Sequence, residues 1–222
     1  MTTSARPSFI AACGLALPAS VHAGWHFDVD DAAVLEIGRC QYETWLTRAP
    51  SVSATLLHFG PGCRVEPVEL GLNYDRPSTA SETRSALGPR LKWVADPLAG
   101  ALSTGIAWGA ACDPQRGGRP AHTLYVPATL AVNDKVAFNA DLGADWDVAG
   151  TRTRRFGVSG ESIFHERLTV IGERVKVAGD WTSRLGTRFM LSEAISVDMS
   201  AARVGSRATC VYVIGLNPGF AR

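Results

Sequence analysis

Side chains able to do chemistry are few and scattered in this sequence. Beyond the first two dozen residues the histidines are His26, His58, His122 and His165, without the clustered spacing that holds zinc. A nucleophile and its base must lie within hydrogen-bond reach. Ser103 and His122 come nearest to that arrangement, on neighbouring predicted strands, but at opposite register and on opposite faces. The chain has no P-loop, no GxGxxG after a strand, no HExxH and no CxxC. No catalytic residue, metal or cofactor is therefore expected, and a membrane-barrel lipid hydrolase stands only as an alternative. What remains is a set of polar residues that alternate with apolar ones: Glu43, Glu69, Asn73, Lys92, Asn139, Asp141, Arg155, Glu161, Glu173, Arg184, Arg188 and Asp198. Such a set either pairs internally, as a plug, or lines a path for small solutes.

Those residues share a face because the chain keeps a period of two. In VAFNADLGADW, Val136, Phe138, Ala140, Leu142, Ala144 and Trp146 oppose Ala137, Asn139, Asp141, Gly143 and Asp145. LSTGIAWGA, SRLGTRFML, AISVDMSA and VELGLNY alternate in the same way. The pattern predicts about twelve strands, near 35–46, 54–63, 66–74, 84–94, 101–111, 122–132, 135–146, 152–164, 167–177, 182–191, 194–203 and 208–220. Long or medium polar connections such as LTRAPSV, DRPSTASET and CDPQRGGRPA alternate with shorter ones such as RVEP, ND and HERL.

Size and charge narrow the class. With 222 residues the chain suits one domain, and a net charge of +1 argues against binding driven by nucleic-acid phosphates. No apolar run reaches the ~18 residues of a membrane helix. MTTSAR, the apolar FIAACGLALPASV and the closing VHAG have the three-part layout of a secretory leader. Residues 1–23 are expected to be removed after Ala23, leaving 24–222 as the exported domain in an oxidising compartment.

Alternation cannot say which face points inward. A soluble secreted β-barrel that binds a ligand in an apolar interior is one reading. The other is a single antiparallel up-and-down transmembrane β-barrel in the bacterial outer membrane, apolar outside. The leader, the alternating connections and the charged interleaved face favour the second. So do two aromatic girdles, Trp45, Trp108, Trp146 and Trp181 toward the long loops and Phe138, Phe164 and Phe220 toward the short turns. Asp28, Asp30 and Asp31 are then expected at the periplasmic mouth. Twelve strands lie between a side-chain-filled eight-strand barrel and an open porin, so both plug and narrow channel stay open.

Two stretches carry resemblances. TCVYVIGLNPGF sets Tyr212, Ile214, Leu216 and Phe220 at alternate positions and resembles the terminal strand by which the barrel-assembly machinery recognises its clients; Pro218 and the two residues after Phe220 depart from that pattern. Asp30, Asp31, Ala32, Cys40, Gln41, Glu43 and Trp45 resemble the opening of the outer-membrane family labelled as transporters of the MetA pathway of phenol degradation. That resemblance implies an outer-membrane barrel passing small molecules, aromatic compounds included, with membrane lipid as its surroundings. It supplies no catalytic residues.

One covalent link follows from register. A hairpin turning around LTRAPSV pairs Leu46 with Leu57 and hence Cys40 with Cys63, on one face, where a disulfide can close. Cys112 and Cys210 fall far apart in strand order and are expected to stay unpaired.

Overall fold

The computed structural model describes residues 26–95, 101–115, 117–177, 179–206 and 208–221. The expected leader and most of the DPLAGA connection lie outside them.

The strands are β1 (Arg39–Ala49), β2 (Ala54–Val65), β3 (Val68–Ser78), β4 (Ala86–Val94), β5 (Leu102–Ala111) and β6 (Ala121–Asn133). They continue as β7 (Val136–Trp146), β8 (Arg152–His165), β9 (Leu168–Val177), β10 (Asp180–Ser192), β11 (Ile195–Val204) and β12 (Thr209–Ala221). Each pairs antiparallel with its neighbours in sequence, and β1 pairs with β12 to close the barrel. Closure leaves no sheet edge unpaired. Arg39 opposes Ala221, so the strand segment begins and ends at one rim.

The first strand starts later than the sequence suggests. Gly38 has a φ of +75°, which glycine adopts without a Cβ clash, and Arg39 N–H donates to the Glu36 carbonyl at 2.9 Å. This turn separates Leu35–Ile37 from the sheet. At the far rim the connections 79–85, 112–120 and 147–151 are long, but β9 and β10 are joined by two residues only. At the near rim, 66–67, 134–135, 166–167 and 193–194 are tight turns.

The bulky alternate set points out. Leu46, Leu57, Leu72, Ile106, Leu124, Leu142, Phe156, Leu185, Met199 and Ile214 are all exposed. Tyr212, Ile214, Leu216 and Phe220 of the last strand share this outer band. The interleaved Val211 and Val213 are buried inside. Parity on the other strands puts seven basic side chains on the outer face, Arg48, Arg76, Arg152, Arg154, Arg174, Lys176 and Arg203, all toward the long-loop rim. Among the described strand residues that face carries no carboxylate.

Trp45 is not part of an outer girdle. The phase that sends Tyr42 and Leu46 outward sends Glu43 and Trp45 inward. Trp45 stacks on His58 with ring centroids 3.5 Å apart and packs with Ala49, Ala54, Ala202, Val211 and Val213. An apolar cluster thus fills the interior beside the long-loop rim on the β12–β1–β2 side. The Cys40–Cys63 disulfide is present at the expected register pair, and Cys112 and Cys210 are exposed free thiols.

Candidate functional site

The lumen is not empty, and its filling is not only side chains. Residues 26–35 run inside the barrel before the chain reaches the rim at Glu36 and Ile37 and turns into β1. His26, Phe27, Val29, Asp30 and Ala32 are buried there. The acidic start is therefore threaded through the interior and not held at the periplasmic mouth, where the barrel reading placed it. Asp31, the most accessible of the three acids, still reaches Lys92 at 3.2 Å.

Backbone demand explains this course. An extended segment away from the sheet has N–H groups with no ladder partner, and burial makes each one costly to leave unmet. The wall supplies acceptors. Asp28 and Val29 N–H donate to the two oxygens of Glu173 at 3.1 and 3.0 Å. Asp30 N–H donates to Asp141 at 3.1 Å, Ala32 N–H to the Thr129 hydroxyl at 2.7 Å, and Leu35 N–H to Glu69 at 3.1 Å. Arg155 and Arg64 donate to the carbonyls of Asp28 and Leu35. From His26 to Leu35 these partners lie on β11, then on β10 to β6 and β4, then on β3 and β2. The segment makes most of a lap of the inner wall.

Its own acids meet wall cations. Arg184 donates to Asp28 and to Glu173, at 2.7 and 2.8 Å. Lys92 reaches Asp30 at 2.8 Å, and the Tyr125 hydroxyl donates to the same carboxylate at 3.0 Å. Arg155 sits 3.8 Å from Asp141, 3.7 Å from Asp145, and over the Tyr125 ring at 4.9 Å. The inner face of β9 is apolar where Val29 docks on Val175 and Val177. At the start of the segment, His26 lies 3.6 Å from Asp198, which Arg188 and Asn217 also contact at 3.2 Å.

The β1–β4 side is built differently, from wall to wall. Arg90 on β4 crosses β3 and β2 to reach Glu43 on β1 at 3.0 Å, with Glu69 at 3.8 Å. Two glycines clear its way: a Cβ on Gly62 would meet the guanidinium at 2.7 Å, and one on Gly71 would overlap the side chain outright. Gln41 donates to Glu43 at 2.7 Å. Nearer the long-loop rim, His58 Nδ1 and Asp75 lie 2.7 Å apart under the Trp45 ring.

All twelve polar residues of the sequence-derived set thus sit on inward strand positions. Asn139 donates to Ser159 at 3.2 Å and accepts from Thr129 at 2.7 Å; Asn73 is buried on β3; Glu161 is half-buried between Ala137 and Ile171. Sequence reasoning missed Arg90, Tyr125, and the His58–Asp75 pair. Arg90 shares Lys92's face two residues away, which was the signal that could have found it; Gly62 and Gly71, which give it room, adjoin it only once the strands pair. Ser103 pairs with Thr129 toward the near rim and His122 with Ala110 toward the far rim, which keeps that serine and histidine apart.

A family model described as "Uncharacterised conserved protein UCP029691" matches residues 11–211. That description does not carry the phenol-degradation label of the family that the opening motif resembles. No curated protein sequence matches the chain. Among solved structures, a KdgM porin in complex with disordered oligogalacturonate is similar at TM-score 0.62 and 12% identity, over 82% of this chain and 99% of that one. The COG4313 outer membrane channel from Pseudomonas putida F1 gives 0.61 and 11%, over 87% and 100%. The NanC porin gives 0.58 and 9%, over 81% and 98%. At these identities the likeness concerns the fold.

Proposed function

The chain belongs to the family described as uncharacterised conserved protein UCP029691, and from its barrel we propose an outer-membrane channel for small solutes, narrowed by its own residues 26–35. The observation that carries this reading is a closed barrel with an apolar outside and a charged lumen that the chain itself threads. An exposed apolar band of this extent is stable in hydrocarbon and a liability in water. A soluble barrel would place the same residues inside. The expected leader, with cleavage after Ala23, supplies the export route.

Charge sets the preference. By strand parity the inward carboxylates are Glu43, Glu69, Asp75, Asp141, Asp145, Glu161, Glu173, Asp180 and Asp198, joined by Asp28, Asp30 and Asp31 of the segment. Inward cations on the same count are Arg39, Arg64, Arg90, Lys92, Arg155, Arg184 and Arg188. Nine and three make twelve acids against seven bases, so the lumen favours small cations and neutral polar solutes over anions. This differs from the polyanionic sugar named with the KdgM structure. Aromatic compounds, suggested by the likeness of Asp30–Trp45 to the phenol-degradation family, enter as neutral solutes on this reading.

Planar-bilayer recording tests it. Discrete steps are expected, with a reversal potential of cation-selective sign in a salt gradient. A silent bilayer, or anion selectivity, overturns the proposal.

A further inference from the structure

The outer wall carries a second built feature, away from the lumen. Between β5 and β8 a groove of about 620 Å³ runs along the outside, with Ala144 as its floor. Ile106, Leu124, Val126, Leu142 and Phe156 line it. The cross-strand rows explain its shape. Leu142 pairs with Val126 and Phe156, three large side chains in one row. One row toward the long-loop rim, Ala144 lies between Leu124 and Arg154, and the small side chain leaves the gap. The next row is Trp146 between His122 and Arg152. Apolar lining thus gives way to two arginines at one end only. Arg152 lies 5.7 Å from the Trp146 ring centre, and among the described residues neither arginine has an ion-pair partner.

Two outward cations above an apolar groove fit an amphiphile with an anionic head, not a protein and not a free ion. Long arginine side chains can reach the interface while their stems lie on apolar surface. Guanidinium groups hold phosphate oxygens in a bidentate way. We propose that this groove binds a phosphate-bearing anionic lipid of the outer leaflet, with an acyl chain over Ala144 and the phosphate on Arg152 and Arg154. The proposal rests on the membrane placement of the barrel, because it needs the long-loop rim at the lipid headgroups.

The test uses the full chain purified in detergent, titrated with phosphatidic acid or with phosphatidylcholine in mixed micelles. Phosphatidic acid is expected to bind on the order of tenfold more tightly. The double variant Arg152→Gln/Arg154→Gln should erase that preference, and Ala144→Leu, which fills the groove and keeps both arginines, should weaken binding of either lipid. Inorganic phosphate should not compete. An unchanged preference in the double variant, unchanged binding in Ala144→Leu, or displacement by inorganic phosphate each overturns the site. Conductance is recorded on the same preparations. Lost lipid preference with intact channels in the wild type sinks the groove alone, and kept preference with silent bilayers sinks the channel reading alone.

Discussion

Two sides of one lumen satisfy their charges by different means. On the β1–β4 side, Arg90 binds Glu43 and Glu69, and His58 meets Asp75, so the wall closes on itself. On the β6–β10 side, Glu173, Asp141, Thr129, Arg155 and Arg184 all spend bonds on residues 28–32. Lys92, on β4, also belongs to the second group through Asp30. Apart from Lys92, the first side meets the segment only at the backbone of Leu35, through Glu69 and Arg64, whereas the second is built around it. The segment is thereby a component of the barrel's polar interior, and its removal changes one side far more than the other.

The severest way to break this comparison is to delete residues 27–33 behind an intact leader. Channel steps should grow several-fold, and heat unfolding should occur at a lower temperature. Unchanged conductance would mean that the segment does not narrow the path. Next come the two central arginines. Arg184→Met strands Asp28 and Glu173, and Arg90→Met strands Glu43, at about 3–5 kcal/mol each when a buried charge loses its partner. Urea unfolding followed by loss of strand signal measures both. Repeating them in the deletion background sharpens the contrast. The Arg90→Met cost should be unchanged there, since separate sites add, while the Arg184→Met cost should fall because Asp28 is gone. Equal behaviour of the two arginines would remove the distinction.

The outer face gives a control. Leu142→Arg puts a charge on the lipid side at about 2–4 kcal/mol near the midplane, whereas Asp141→Arg acts on the lumen, by repelling Arg155 and removing the acceptor for Asp30 N–H. If Leu142→Arg inserts like wild type, the assignment of faces fails. Smaller still is the Cys40–Cys63 link, which closes 23 residues of sequence on the β1–β2 hairpin. Cys63→Ser should cost about 3 kcal/mol or less and leave conductance unchanged, because the bridge is on the outer face. Thiol counting under non-reducing denaturation should find the two thiols of Cys112 and Cys210.

The number of strands, their order and the Cys40–Cys63 register were legible because side-chain alternation and hairpin length are local properties. The same alternation identified Glu43, Lys92, Asp141, Glu173 and Arg184 as one face, without saying which of them meet. Parity misassigned a residue only where an aromatic was counted by its height and not by its phase, as with Trp45. Arg90 went unnoticed because its role depends on two glycines in other strands, Gly62 and Gly71, which adjoin it only after pairing.

Sequence by itself determined the strands, their alternation and the chemistry of each face, since each depends on residues within a few positions of one another. Tertiary structure alone decided where residues 26–35 go. An Asp-rich stretch without strand periodicity is equally at home in solvent by its composition. It enters the lumen because carboxylates and cations from seven strands, β2 to β4 and β7 to β10, converge to receive its backbone and its acids. That convergence exists only once the barrel is closed.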